Sequence, residues 1–298
     1  MSILGNEKTR VICQGILTPE GLKHTEQSLA YGTHIVGGVA KGKKGDQIFG
    51  IPLYNTVKEA VRAQQPDVSV IYAAPLQAAE EIMAAIEAGV PLIICTTERV
   101  PVQDILKIKS LLKKSKSRLI GPASQGIITA GACKIGTMPA HLFQKGNVGI
   151  MSRSSSVMYE ALQQLHKKGL GVTTCVALGA YPVLGTSFNE ILDLFLKDKQ
   201  TQAILLIGEI GGNFEQVLAQ YYAKKRHKKP LISYVVGSFV PPKTYMGNIG
   251  AIVSEETETA SFKKDALKKA GSVIVDSPVR IGDAVFKALT QGMDKEQK

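Results

Sequence analysis

The chain reads as an α/β protein of two doubly wound domains, and three observations predict it. Short apolar runs alternate with helical stretches through most of its 298 residues, Pro and Gly fall between those runs, and the runs are apolar throughout. Strands of a parallel sheet covered by helices on both faces must have that last property, whereas a half-solvated sheet would alternate. With 44% hydrophobic residues the chain can fill a core, and its length suits two domains.

Strands are expected at 10–14, 34–37, 68–72, 92–96 and 118–121, with helices at 22–31, 57–63, 76–88 and 102–113. Pro66, Gly89, Pro91 and Pro101 punctuate them where turns are needed. A second series begins with a strand at 148–151. It continues with strands at 172–178, 203–207, 231–236 and 273–275, and helices at 156–168, 187–196, 214–225, 261–269 and 280–289. The pattern gives a Rossmann-like domain over 1–125, a connecting segment over 126–146 and a flavodoxin-like domain over 147–298.

The formal charge is +11, from 36 basic and 25 acidic residues, and the excess gathers at 41–44, 113–118 and 224–229. With 6% aromatic residues and no Trp, the chain lacks the stacking side chains of single-strand nucleic-acid binders. The basic runs read as solvated loops and helix ends, suited to an anionic ligand or an acidic partner. Cys13, Cys95, Cys133 and Cys175 lie far apart with no C-x-x-C pair, which argues against a zinc site or a disulfide framework. No apolar run reaches the length of a membrane span, and the first residues lack a signal or transit pattern, so a cytoplasmic protein is expected.

Two loops carry candidate chemistry. In Gln14-Gly-Ile-Leu-Thr-Pro-Glu-Gly21, a strand, two glycines and a helix start suit a phosphate lying on a helix N-terminus. Against this, Pro19 offers no amide and Glu20 would repel a phosphate. Thr18-Pro19-Glu20 is equally a plain helix start, with a cap, Pro at the first position and an acid in the first turn. The second loop, Ser152-Arg-Ser-Ser-Ser156, joins a buried strand to an amphipathic helix. Its amides, hydroxyls and Arg153 suit a phosphate or carboxylate, and Ser154 or Ser155 also serves as an ordinary cap.

Several segments carry a resemblance. They are Thr9-Arg-Val-Ile-Cys-Gln-Gly15, Tyr31-Gly-Thr-His-Ile-Val-Gly-Gly38, Leu119-Ile-Gly-Pro122, Cys133-Lys-Ile-Gly136, Tyr159-Glu-Ala161, Ile207-Gly-Glu-Ile-Gly-Gly212 and Met246-Gly-Asn-Ile-Gly-Ala-Ile252. In this order they resemble the α subunit of succinyl-CoA synthetase, from the first residue to about Leu289. The resemblance implies an acid–CoA ligase subunit of the citric acid cycle, with a Rossmann-like CoA-binding domain first. In the second domain a histidine carries a phosphoryl group to succinate, and CoA then displaces that phosphate. ATP or GTP and Mg would be bound only through a β-type subunit. The resemblance places CoA contacts at Leu17, Thr18, Pro19, Glu20, Lys43, Thr96, Thr97 and Glu98. It places succinate beside Tyr159, phosphate at Ser154, Ser155 and Ser156, and a glutamate orienting the histidine at Glu209.

The departures fall in the loops that would do chemistry. Where the family has Gly-His-Ala-Gly, this chain has Gly247-Asn248-Ile249-Gly250. An imidazole nitrogen accepts and releases phosphate, whereas an amide nitrogen is delocalised into its carbonyl and is a poor nucleophile. Ser155 stands for a glycine, and Glu255, Glu256 and Glu258 follow the histidine-position loop, where they would repel phosphate. Among the remaining histidines, His24, His34 and His166 fall on the framework, His227 in a basic run, and His141 between the domains, where the family also has one. Three expectations follow. The first is a CoA-binding α-like subunit impaired in phosphoryl transfer; the others are an active succinate–CoA ligase (ADP- or GDP-forming) and a non-enzymatic binding or regulatory protein.

Overall fold

Strand β1 (Val11–Gln14) is buried along its whole length and lies at the centre of the first sheet. Even Gln14 is fully enclosed, its side-chain amide donating to Ser69 Oγ at 2.9 Å and Glu81 O at 3.1 Å. The computed structural model describes residues 3–226, 229–246 and 250–296, so Asn248 and His227 lie outside the described residues. The chain forms two compact units, one of Leu4–Ala140 with Val183–Thr186, the other of His141–Pro182 and the chain from Ser187.

The first unit runs β1, α1 (Pro19–Ala30), β2 (Ile35–Val39), β3 (Gln47–Ile48), β4 (Ile51–Tyr54), α2 (Val57–Gln64), β5 (Val68–Ile71), α3 (Ala78–Glu87), β6 (Leu92–Cys95), α4 (Val102–Leu112) and β7 (Arg118–Ile120). The sheet order is β3-β4-β2-β1-β5-β6-β7, parallel except for the β3–β4 hairpin. Without β3 this is the order of the dinucleotide-binding fold, and the direction of winding reverses between β1 and β5. Register fixes the strand ends there, with Cys13 paired to both Gly38 and Val70. A hairpin of β8 (Gly126–Thr129) and β9 (Cys133–Gly136) completes the unit, in a stretch expected only to connect domains. β4 was not foreseen either, because Pro52 sits inside its four residues.

The second unit runs β10 (Lys145–Ser152), α5 (Ser155–Lys167), β11 (Val172–Ala177), α6 (Phe188–Lys197), β12 (Ala203–Glu209), α7 (Phe214–Ala223) and β13 (Leu231–Val236). A small hairpin of β14 (Thr244–Tyr245) and β15 (Ile252–Val253) follows, then α8 (Ala260–Lys269), β16 (Val273–Ile274) and α9 (Ile281–Glu296). Its strands lie in the order β16-β13-β12-β10-β11, all parallel. This is the flavodoxin-like order, with its reversal between β10 and β12. Helix starts follow the sequence: Ser187 and Glu190 form a reciprocal capping box at α6, and Thr259 caps α8. All four cysteines are buried, and burial pushes the Cys13 thiol up to about 12 and those of Cys95 and Cys133 up to about 11. No helix among the described residues is long and apolar enough to cross a membrane.

One buried cation ties the β8–β9 hairpin to α1. Lys134 is 1% exposed, and its ammonium donates to Gly136 O at 2.8 Å and to Ser28 Oγ on α1 at 3.4 Å. Burial lowers its pKa from 10.5 to about 8. Between those values the unfolded chain binds the extra proton, so this group makes folding more favourable as pH rises and its penalty is complete below pH 8. The unfolding free energy of the wild type minus that of Lys134→Met should therefore rise by about 2 kcal/mol between about pH 8 and 10. Urea titrations across that range measure it, and a flat difference would show that the ammonium titrates normally.

Candidate functional site

Three loops leave the carboxyl ends of β1, β5 and β6 and enclose a cavity of about 720 Å³ at the winding reversal. Thr18, Pro19, Glu20 and His24 come from the start of α1, residues 72–75 from beyond β5, and residues 96–99 from beyond β6, with Gln125 and Thr137 closing one side. The first loop approaches its neighbours so closely that it needs glycine. A Cβ on Gly15, whose φ is +69°, would lie 2.5 Å from Tyr72 O, and one on Gly21 would meet Gly15 O. Thr97 Oγ1 donates to Ala73 O at 2.8 Å and Thr96 Oγ1 to Ile71 O at 3.0 Å, which locks the β6 loop against the β5 loop. The His24 ring stacks on Tyr72 with centroids 5.9 Å apart. Burial, and then the Lys134 ammonium, hold His24 below its ordinary pKa, so it faces the cavity uncharged at neutral pH.

The second unit gathers its charged groups at its own reversal, where β10 and β12 end. Ser152 Oγ accepts from Ser154 N at 3.0 Å and donates to Ser154 O at 2.8 Å, shaping the turn into α5. Ser154 is the N-cap of α5, yet its side chain makes no cap bond to the first-turn amides. In the same turn the Arg153 guanidinium is buried, 4.7 Å over the Phe214 ring and 3.6 Å from Glu215 Oε1, with Nη1 donating to Gly211 O at 3.3 Å. Its Nε and Nη2 have no hydrogen-bond partner among the described residues. Lys263, also fully buried, donates to Glu215 Oε2 at 2.5 Å, Gly211 O at 2.6 Å and Glu209 O at 2.8 Å. Two cations and one carboxylate thus hold the turn that follows β12.

Residues 6–99 match the CoA binding domain family and residues 151–273 the CoA-ligase family. The succinate–CoA ligase [ADP-forming] α subunit of Aquifex aeolicus is 43% identical over 291 residues, which is 97% of this chain and 95% of that one. The chain belongs to the succinate–CoA ligase α-subunit family. A second α subunit from Archaeoglobus fulgidus is 42% identical over 289 residues, 97% of this chain and 100% of the relative. Among solved structures, ATP citrate lyase from Methanothrix soehngenii in complex with citrate and coenzyme A superposes with a TM-score of 0.88 at 25% identity. That match covers 99% of this chain and 52% of the lyase, so the chain spans about half of that protein's length. The acetyl-coenzyme A synthetase 1 of Ca. Korarchaeum cryptofilum shares the fold, with a TM-score of 0.75 at 19% identity over 93% of this chain and 60% of its own.

Of the CoA contacts expected from the resemblance, Thr18, Pro19, Glu20, Thr96, Thr97 and Glu98 come together around the cavity. Leu17 and Lys43 lie outside its lining; Leu17 is exposed, and Lys43 is paired with Asp46 at 3.8 Å. Ser154, Ser155 and Ser156 sit at the α5 start. Tyr159 follows one turn later on the same helix, half-buried, its hydroxyl pushed up to about 12 mainly by burial. Glu209 ends β12 and is buried. His24 corrects one expectation, because it lines the cavity instead of belonging only to the framework; its position one turn beyond Glu20 was the available signal. Glu215 and Lys263 gave none, since Phe262-Lys-Lys-Asp265 reads as a solvated helix face.

Among the described residues, Glu215 is the one carboxylate paired with both Arg153 and Lys263. Glu215→Gln should therefore cost about 3 to 5 kcal/mol, because it strands two buried cations. Denaturant unfolding of the variant measures this, and a loss below about 1 kcal/mol would mean that the cluster is hydrated.

Proposed function

We propose that this chain is an α-like subunit of the succinate–CoA ligase type that binds CoA in its first unit and is impaired in phosphoryl transfer. The CoA half is carried by the cavity at the β1/β5 reversal, where Thr18, Thr96 and Thr97 meet in a match to the CoA binding domain family. The polar groups present fit an extended, partly apolar thiol ligand: Tyr72, His24 and Pro75 offer apolar surface, and Gln125 and Thr137 offer hydrogen bonds. When bound, CoA supplies a thiol that attacks an activated carboxyl group. Thr96 and Thr97 would hold its loop-facing side, and the serines of α5 with Arg153 would bind a phosphate or carboxylate. Tyr159 would face the acid, with succinate as the acid the family suggests.

Impairment rests on chemistry at one position. Asn248 has no nucleophilic nitrogen to carry a phosphoryl group. Downstream, Glu255 and Glu256 are exposed beside the 3₁₀ turn, and Glu258 accepts from Ser254 N at 2.6 Å. A β-type subunit would complete the assembly and bring ATP or GTP with Mg, in the cytoplasm.

Calorimetric titration of CoA into the isolated chain tests the first half, and saturable binding is expected. For the second half, the chain is mixed with a β-type subunit, ATP and Mg²⁺; no acid-labile phosphate should appear on it. Phosphohistidine on any residue would overturn the impairment. Asn248→His alone should restore less than about 1% of ordinary turnover, since Ser155 and the glutamates remain and electrostatic terms of a few kcal/mol act on the barrier. Near-normal succinyl-CoA formation by that variant would remove those residues from the explanation.

A further inference from the structure

The cavity in the first unit is poorly suited to the anionic half of CoA, and one residue accounts for most of that. Among its lining side chains, the carboxylates of Glu20 and Glu98 face a single guanidinium, that of Arg99. The helix end that could receive a phosphate is closed. Thr18 N donates to Gly15 O at 3.0 Å, Pro19 has no N–H, and Gly21 N donates to Thr18 Oγ1 at 3.0 Å. The first-turn amide left is that of Glu20, whose own carboxylate already complements the dipole of α1. At α5 no cap bond forms and the first turn carries no acid, so the two helix starts of this chain differ in kind.

The positive charge near this site lies on the other flank of β1. Lys41, Lys43 and Lys44 follow β2, which pairs with β1 on the side away from β5, so their loop leaves the same sheet edge as the cavity loops. Lys43 and Lys44 are more than half exposed, each with a loose carboxylate neighbour: Asp46 at 3.8 Å and Glu59 at 3.6 Å. Such side chains remain free to swing onto a ligand phosphate.

We propose that Glu20 sets the charge selectivity of this cavity, admitting the uncharged pantetheine arm of a CoA-type thiol beside α1 and turning its pyrophosphate toward the lysines that follow β2. The proposal rests on the CoA reading and deepens it, by making the chain discriminate between the neutral and anionic parts of one ligand class. Glu20 is exposed, so Glu20→Gln should fold as the wild type does, which circular dichroism checks.

Titration of CoA and of pantetheine into wild type, Glu20→Gln and the double variant Lys41→Ala/Lys43→Ala tests it. Removing the negative charge that repels the pyrophosphate should tighten CoA about tenfold and leave pantetheine within about twofold, the CoA gain shrinking as salt is added. The double lysine variant should weaken CoA about tenfold and leave pantetheine unchanged within about twofold. Equal CoA affinity in wild type and Glu20→Gln overturns the proposal and leaves the CoA reading standing. A gain shared by pantetheine also overturns it, because the effect would then be steric. CoA binding unchanged by loss of the lysines overturns the stated path of the pyrophosphate. Absence of CoA binding by both the wild type and Glu20→Gln would bring down the CoA reading, and this proposal with it.

Discussion

A parallel sheet sends every loop that follows a strand to the same edge, and where the winding reverses two neighbouring loops must run to opposite faces. That constraint acts in both units of this protein. In the first unit it parts the loops after β1 and β5, and in the second those after β10 and β12. Nothing else in the chain needs to be unusual for a ligand to lodge there. Specific side chains then decide what is accepted there.

The two helix starts show how differently one geometry is finished. α1 begins with a threonine that closes an amide, a proline that lacks one and a glutamate that answers the dipole. At α5 the N-cap Ser154 makes no side-chain cap bond, and the Arg153 that precedes it has two nitrogens without a partner among the described residues. A buried cation in such a position is tolerated only because Glu215 balances it and Lys263 anchors Glu215 in turn. The second unit therefore keeps a buried Arg153–Glu215–Lys263 cluster at the turn that follows β12.

Most of the framework was legible because the strand runs are uniformly apolar and the turns between them hold Gly or Pro. Helices α2, α4 and α7 begin at their expected first residues. What was illegible has physical causes. β4 and the β8–β9 hairpin are four-residue strands whose identity comes from pairing across the sheet, which local composition does not encode. Thr18, Thr96, Thr97 and Glu98 were reachable through the resemblance, and folding brings them to one cavity. The Glu215–Lys263 pair was not reachable, since a lysine in a run of charged helix residues looks solvated until a second helix covers it. Asn248 was conspicuous in sequence, yet it lies outside the described residues.

The four enclosed cysteines carry a further consequence. Cys13 is the penultimate residue of β1, and Cys95 ends β6 directly before Thr96, so two of the thiols sit on strands whose following loops line the cavity. With solvent excluded and thiolate formation suppressed, they are shielded from alkylating agents and peroxide while the native packing persists. Modification of these sulfurs would then mark molecules that have opened, which makes them a built-in clock for local unfolding of the sheet edge on which the cavity stands.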